Sequence, residues 1–526
     1  MSPFPIKWKV PMSNTEYTVK KSKIHLNYAS AKAPVQSDPT PEAKPLPKVT
    51  IDGKSYEFKP GDTIMEVAER YKLHEDIPRY CYHPGMPVAG TCRMCTVEVE
   101  KAPKLMTSCS TPAGDGMVVH TRSEKVMKSR TGVMDFLLTN HPLDCPVCDK
   151  AGECSLQDYN FEYGPAKSNF KEEKRIYEDA TTKVLSDKIT LNMNRCVHCE
   201  RCVRFTDDVT KTNDLVMVNR GWHKELDVTD ERGLFNEYQG CLTDFCPVGA
   251  LTMNDFRFHK RSWFLTKKAS VCDRCSKGCN IEVHSDAEVA YRYVPIHNEM
   301  VNGHWMCDEG RLSYNDFVNP ERIISPMLNH NGALASTTIQ TVLTEVKKVV
   351  GTASSVQLIV GTDSTREEAA LLKEKVPALL GKPVHVYYHN GTFGVMSSKD
   401  DQKLDHLLRM KDHTANTKGV EDEGLTALPN GEVSAEVAIL FRNGRAAVPK
   451  LKADQKVFLW GVWNTEEVKS LGTKNVLGII AGLATIEKAG SFKNTDGIVQ
   501  KFHPAIVHKG GGLSAHQVAD VLKTLN

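Results

Sequence analysis

Sixteen cysteines occur in this chain of 526 residues, all of them between Cys81 and Cys307. The pair C-x2-C recurs five times, at Cys92–Cys95, Cys145–Cys148, Cys196–Cys199, Cys199–Cys202 and Cys272–Cys275. Thiolates two residues apart can converge on one metal centre from a tight loop, so the spacing predicts metal chemistry rather than disulfides. Three groups supply four thiolates each. The first is Cys81, Cys92, Cys95 and Cys109; the second is Cys196, Cys199, Cys202 and the distant Cys246 followed by Pro247; the third is Cys272, Cys275, Cys279 and Cys307. A C-x2-C-x2-C run finished by a remote Cys-Pro is 4Fe-4S spacing, and the third group predicts another such cubane. Ligand type alone leaves the first group open to zinc or to iron and sulfide.

A further group, HPLDCPVCDKAGEC at 141–154, holds only Cys145, Cys148 and Cys154. Twelve cysteines belong to the other groups, so Cys241 is the one left over, five residues before Cys246. His141 stands four residues before Cys145, where Pro142 can turn it back onto the same centre. Locality predicts His141 as the fourth ligand, its neutral imidazole removing one negative charge relative to a thiolate. Cys241 is then expected to be a small buried apolar residue.

The elements that must position these residues are legible in the apolar pattern. VTIDGKSYEF from Val49 alternates like a strand, PGD makes a turn, and TIMEVAERYKL reads as a helix capped by Asp62 or Thr63. MCTVEVE and GMVVHT are further strands, and 123–139 is a helix leading into His141. Residues 1–47 are basic and then Pro-rich: an extended arm and linker, with one strand near EYTVKKSKIHL, read equally well as a disordered tail or as a strap on a partner subunit. Gly85, Gly90 and Pro84 let the Cys81–Cys92 loop bend so that backbone N–H groups can face the sulfurs.

Beyond residue 320 cysteines cease and strands alternate with helices: SVQLIVGTDS, TREEAALLKEKVPALL, EVAILF, KVFLWGV and a closing SAHQVADVLKTL. This pattern predicts an α/β domain with a parallel sheet. HKGGG at 508–512 lacks the strand-to-helix setting of a phosphate cradle and reads as a loop. With 67 basic and 65 acidic residues there is no global signal for nucleic acid. No apolar run reaches the ~20 residues of a membrane span, and the N-terminus lacks a secretory core. The expectation is a soluble protein of a reducing compartment, most simply the bacterial cytoplasm. No G-x-G-x-x-G marks a strand–helix junction, so NADH oxidation is expected in another chain.

The strand and helix signals around Cys81–Cys109 resemble the ferredoxin β-grasp, which favours 2Fe-2S there. Taken together, the four groups resemble the large iron–sulfur subunit of the proton-pumping NADH:quinone oxidoreductase, respiratory complex I, closely over 48–315 and loosely beyond. The resemblance implies a 2Fe-2S cluster on Cys81, Cys92, Cys95 and Cys109. It implies 4Fe-4S clusters on His141 with Cys145, Cys148 and Cys154, on Cys196, Cys199, Cys202 and Cys246, and on Cys272, Cys275, Cys279 and Cys307. The last is a cubane kept by some bacterial members and considered off the main path. It further implies electrons arriving from a flavin- and NADH-binding subunit and leaving towards a quinone-side ferredoxin-like subunit. Other peripheral-arm subunits would be neighbours, on the cytoplasmic side of the bacterial inner membrane, with no span of its own and no catalytic residue in this chain.

The implied fold class is multidomain α+β and α/β. Its parts are an arm at 1–47, a 2Fe-2S β-grasp at 48–122, a His/Cys 4Fe-4S domain at 123–184, a 4Fe-4S ferredoxin-like domain at 185–265, and a 4Fe-4S domain of molybdopterin-oxidoreductase type at 266–315. A shortened α/β domain resembling molybdopterin oxidoreductases fills 316–526, with CDEGRLSY at 307–314 and EKAGSFKNTDGIVQ at 487–500 as its clearest echoes. No Cys follows Cys307 and the domain is short, so no molybdopterin is expected. Two other classes share parts of this pattern: the iron–sulfur and molybdenum chain of a formate dehydrogenase, and the accessory subunit of an NAD-linked hydrogenase, which typically lacks the Cys272–Cys307 domain. An iron–iron hydrogenase would need cysteines after residue 320. A structural zinc protein is the non-redox alternative, separated from the rest by iron and sulfide content.

Overall fold

Val49 and Ile51 point inward from strand β1 (Lys48–Ile51), which pairs antiparallel with β2 (Lys54–Glu57). The single strand expected over VTIDGKSYEF is therefore a hairpin. Asp52 and Gly53 both take positive φ at its tip, the Asp-Gly signature of a tight two-residue turn. The architecture is seen in a computed structural model that describes residues 45–73, 77–179, 181–318, 322–390, 402–442, 448–462, 475–507 and 510–525. The strand expected near EYTVKKSKIHL lies outside the described residues, as do His508 and Lys509 of HKGGG.

Helix α1 (Ile64–Arg70) opens on Thr63, whose hydroxyl accepts from the Glu66 N–H while Glu66 reaches back, a capping box. Thr63, not Asp62, is the cap. Asp62 instead pairs with Arg70 at 2.6 Å. Strands β3 (Thr96–Val99), β4 (Met106–Thr107) and β5 (Val118–His120) complete a five-stranded sheet, order β2-β1-β5-β3-β4, with β1 and β5 parallel. Val49, Ile51, Ile64, Val67, Val97 and Val119 make its core.

Helix α2 (Glu124–Asn140) starts at the Ser123 cap and lays Arg130, fully buried, against Thr96 and the Tyr163 ring. Helix α3 (Ser155–Tyr163) follows the Cys145–Cys154 loop. Strands β6 (Lys183–Val184) and β7 (Ile189–Leu191), helix α4 (Arg201–Arg204), the hairpin β8 (Leu215–Val218) and β9 (Glu225–Val228), helix α5 (Gln239–Phe245) and β10 (Leu251–Met253) come next, β10 pairing with β7. Strands β11 (Thr266–Val271), β12 (Asn280–Asp286) and β13 (Val289–Pro295) form an antiparallel meander, followed by α6 (Asp308–Leu312). One core runs through these segments and contains Cys81, Cys154, Cys199, Cys246, Cys272 and Cys307. Cysteine groups separated in sequence thus share one apolar interior.

The cysteine-free region is an eight-stranded sheet built from β14 (Met327–His330), β15 (Ala333–Ser336), helix α7 (Ile339–Thr352), β16 (Val356–Gly361), helix α8 (Arg366–Leu380), β17 (His385–His389), α9 (Thr417–Asp422), β18 (Thr426–Ala427), β19 (Val437–Arg442), β20 (Lys456–Gly461) and β21 (Val476–Ala481). Strands β21, β20, β19, β16, β17 and β18 are parallel neighbours in that order, and β14 joins β21 antiparallel. Every residue of β16 and β19 is buried, as a parallel strand covered on both faces requires. Val342, Val346, Leu372, Val376, Val518 and Leu522 of α7, α8 and the closing helix α10 (Ala515–Thr524) cover one face. The hairpin β22 (Gly490–Lys493) and β23 (Val499–Phe502) precedes α10.

Lys488 reaches from the loop before β22 to the Glu368 carboxylate on α8 at 2.6 Å, both side chains under a tenth exposed. Removing one partner of such a pair strands a buried charge. Lys488→Met is therefore expected to lower unfolding free energy by about 3–5 kcal/mol, read by denaturant unfolding.

Candidate metal centres

Cys81, Cys92 and Cys95 lie on the loop between α1 and β3, and Cys109 follows β4. Cys95 and Cys109 bring their sulfurs to 3.4 Å. The Cys92 thiol donates to the Cys81 sulfur, helped by the backbone amides of Cys92 and Thr91, which holds the Cys81 thiol below its ordinary value and pushes that of Cys92 up. Hydrogen bonding from Cys109 lowers Cys95 in the same way. Gly90 takes φ +66 at the loop's bend. At Gly85 an added Cβ would lie 2.8 Å from both His304 and Trp305, so this glycine lets the loop approach the Cys307 segment.

His141 is the residue at which α2 ends, in extended geometry, ahead of Pro142. It lines a cavity of about 420 Å³ together with Cys145, Cys148, Cys154, Arg195 and Gly249. Its Nδ1 is buried and has no hydrogen-bond partner among the described residues. Burial, with Arg195 and Lys174 nearby, lowers its pKa to about 4, so the imidazole is neutral and its lone pair free to bind. Arg195 pairs with Asp144 at 2.9 Å and Arg261 donates to the Cys148 carbonyl at 2.6 Å, holding the loop from two sides. Lys174 donates to the carbonyls of Leu138 and Thr139 at the end of α2. An uncommitted acceptor and three thiols around one cavity, with Cys145 exposed at its edge, suit a centre larger than a single ion.

Cys196, Cys199, Cys202 and Cys246 line a second cavity with Arg201, Phe245 and Pro247. His198 and Glu200 take positive φ between the first three cysteines, winding the loop so that all three face inward. Cys246 closes α5, and the Pro247 carbonyl accepts from Ser155 at 3.0 Å, next to Cys154 of the neighbouring site. Cys272, Cys275 and Cys279 form the loop between β11 and β12, and Cys307 caps α6, its sulfur accepting from the Gly310 N–H. A Cβ on Gly310 would lie 2.9 Å from the Cys272 sulfur and 3.5 Å from that of Cys307. The cysteine-free region grips this loop: Ser276 donates to the Asp412 carbonyl, Thr495 to the Ser276 carbonyl, and Gln500 to that of Gly278.

Cys241 lies in none of these groups. Its thiol, fully buried on α5, faces the Met306 carbonyl at 3.2 Å beneath Arg311, which pairs with Asp244. Among the described residues no group of three or more His, Cys, Asp or Glu side chains is arranged to hold a single metal ion.

Several residues that shape the sites carried no recognised signal in the sequence. Gly249, three residues after Cys246, has room for no Cβ: an added one would lie 2.2 Å from the Cys148 sulfur. Arg292 grips Glu153 with two hydrogen bonds, at 2.6 and 3.0 Å, and donates through Nε to His284 Nδ1 at 2.9 Å. That acceptance leaves the proton on His284 Nε2, which donates to Glu282. Burial and Arg292 lower His284 to about 4. The folded state thus resists protonation while the unfolded chain takes its proton near pH 6.5. Stability is present above about pH 6.5 and declines as pH falls towards 4. His284→Gln is expected to flatten this decline in denaturant midpoints measured across that range.

Matches to known proteins run in the same order along the chain. Residues 47–124 match the model of a 2Fe-2S iron–sulfur cluster binding domain. Residues 130–169 match the NADH-ubiquinone oxidoreductase-G iron–sulfur binding region, and 186–252 the ferredoxin-like domain of NADH-quinone oxidoreductase subunit 3. The NADH-quinone oxidoreductase G subunit of Rickettsia bellii is 42% identical over 289 residues, covering 55% of this chain and 42% of the relative. Segment by segment, the chain is similar to the 75-kDa subunit of NADH-quinone oxidoreductase.

The corresponding G subunit from Rickettsia conorii is 38% identical over 366 residues, covering 69% of this chain and 52% of the relative. The NADH-ubiquinone oxidoreductase 75 kDa subunit of Reclinomonas americana is 35% identical over 434 residues, 81% of this chain and 61% of that one. The chain therefore spans about half the length of the curated relatives it matches. A chain from the crystal structure of an NAD+-reducing [NiFe]-hydrogenase in the H2-reduced state is 29% identical over 41% of this chain and 91% of that one, with a TM-score of 0.35. The multidomain α+β architecture accords with the ferredoxin-like family matches.

Proposed function

We propose that this chain relays electrons through iron–sulfur clusters in the peripheral arm of an NADH:quinone oxidoreductase, from a flavin- and NADH-binding subunit towards a quinone-side ferredoxin-like subunit. The observation that carries the reading is the His141 cavity, which His141 lines together with three cysteines, its buried Nδ1 uncommitted among the described residues. Bound clusters would supply one-electron chemistry, with potentials set by ligand charge, hydrogen bonds to sulfur and burial. The chain's own residues do the rest. Cys81, Cys92, Cys95 and Cys109 would hold a 2Fe-2S cluster. His141 with Cys145, Cys148 and Cys154, the Cys196–Cys246 set and the Cys272–Cys307 set would hold 4Fe-4S clusters. The shared core keeps water from the interior sites.

Phe136, Leu143, Val147 and Phe161, on and around the His141 segment, are exposed apolar residues that support docking of another subunit there. Among the described residues no helix is long and apolar enough to cross a membrane. In this reading the chain is held peripherally, on the cytoplasmic side of the bacterial inner membrane. Anaerobic purification with iron and acid-labile sulfide quantitation and EPR tests the proposal. About 14 irons per chain, from one 2Fe-2S and three 4Fe-4S clusters, are expected. Zinc without sulfide would overturn it, and molybdenum with formate oxidation would assign the chain to another class.

A further inference from the structure

Two charged residues line the Cys196–Cys246 cavity. Glu200 is neutralised by Lys224. Arg201, nine-tenths buried, has no carboxylate partner among the described residues. Its Nη1 donates to the Phe245 carbonyl at 2.7 Å, its Nη2 to the Tyr82 carbonyl at 2.6 Å, and its Nε has no partner among the described residues. Phe245 immediately precedes Cys246, and Tyr82 immediately follows Cys81. One guanidinium therefore joins the backbones beside a ligand of each of two centres. Arg204, one turn on, donates to the Cys81 carbonyl and, at 3.4 Å, to that of Cys199.

A guanidinium keeps its proton under all ordinary conditions, so burial without a carboxylate is costly unless another anion faces it. Carbonyl dipoles supply part of that compensation. The thiolates of the cavity that Arg201 lines are the negative groups placed to supply the rest. The packing around it is dry: His83 stacks on Trp305 at 5.2 Å, and Phe205 lies 5.1 Å from Phe245 and 4.9 Å from Trp305. With little water to screen it, a fixed charge here acts at greater strength than on the surface.

We propose that Arg201 is a positioning residue that ties the Cys81 loop to the Cys196–Cys246 centre and, by its fixed charge, favours the reduced form of that centre. This rests on the iron–sulfur reading above. A positive charge lowers the free energy of whichever state carries more negative charge, so its loss makes that cubane harder to reduce.

The test is an EPR-monitored redox titration of the full, anaerobically purified chain as wild type, Arg201→Lys and Arg201→Met. Arg201→Met is expected to lower the reduction equilibrium constant of this cubane about tenfold, or 59 mV for one electron, leaving the His141 centre unmoved. Arg201→Lys, which keeps the charge, is expected to hold the wild-type midpoint. An unchanged midpoint in Arg201→Met, or an equal shift at the His141 centre, would overturn the inference. Should Arg201→Met fail to assemble the cubane, Arg201→Gln is read by the same criterion. If neither neutral variant assembles it, the Lys variant decides: a retained midpoint supports the charge role and a tenfold drop overturns it. A wild-type chain without 4Fe-4S signals would instead defeat the functional reading itself.

Discussion

His141→Cys is expected to retain the cluster at the His141 cavity and to lower its reduction potential by on the order of 100 mV or more. The sign follows from charge: a thiolate in place of a neutral imidazole adds a negative charge and favours the oxidised form. The scale follows from Rieske centres, where two histidines in place of two cysteines raise the potential by several hundred millivolts. His141→Ala removes the ligand and is expected to cost about four of about 14 irons. Cys241→Ala is expected to keep every cluster, because that sulfur meets the Met306 carbonyl and amide and the far end of Arg311, none of them in a cysteine group. EPR with iron quantitation reads all three variants. Loss of this cluster in Cys241→Ala, with His141→Ala unaffected, would reverse the assignment.

The second large effect needs only one methyl group. Gly249→Ala would place a Cβ 2.2 Å from the Cys148 sulfur and 3.3 Å from Lys150 Cβ. Cys148 has little freedom to withdraw, since Arg261 holds its carbonyl and the next residue, Asp149, accepts from the Phe258 amide. The substitution is expected to abolish the cluster at the His141 cavity, again about four of about 14 irons, while the 2Fe-2S signal survives. Gly132→Ala is the matched control. Gly132 lies within α2, where an added Cβ meets nothing within 4 Å. There the change is expected to raise stability by about 0.5–1 kcal/mol, the usual gain of Ala over Gly in a helix. Iron loss in both variants would indicate a general weakness of the chain rather than a steric block.

The four cysteine groups stood out in the sequence because cluster chemistry demands cysteine at short intervals, and interval is a one-dimensional property. The α/β region was legible for a related reason: β16 and β19 are mostly apolar runs, broken only by Gln357 in the first and Arg442 at the end of the second, as a sheet covered on both faces requires. The residues that complete the cavities were not legible. Gly249 and Gly310 matter through distances to sulfurs far away in sequence, and a glycine looks the same whether it ends a helix or makes room for a neighbour. Arg201 read as one basic residue within a cysteine motif; only the fold shows it reaching Tyr82, 119 positions away. The β1–β2 hairpin was missed although Asp-Gly stood in plain view, because the alternation on either side of it hid the turn.

The depth at which the thiols lie bears on how such a chain is made. Burial raises Cys154 and Cys199 to about 11 and Cys307 to about 12, and raises Cys196, Cys202, Cys272 and Cys279 as well. Only the thiolate binds iron, so loading a closed site at neutral pH must expel a proton from each of these groups. Loading is easier while the loops are still open to water and the thiols still titrate normally. In the iron–sulfur reading, iron and sulfide would therefore enter most readily before the shared core closes. A chain that closes first is left with protonated, shielded sulfurs, slow to oxidise and equally slow to load.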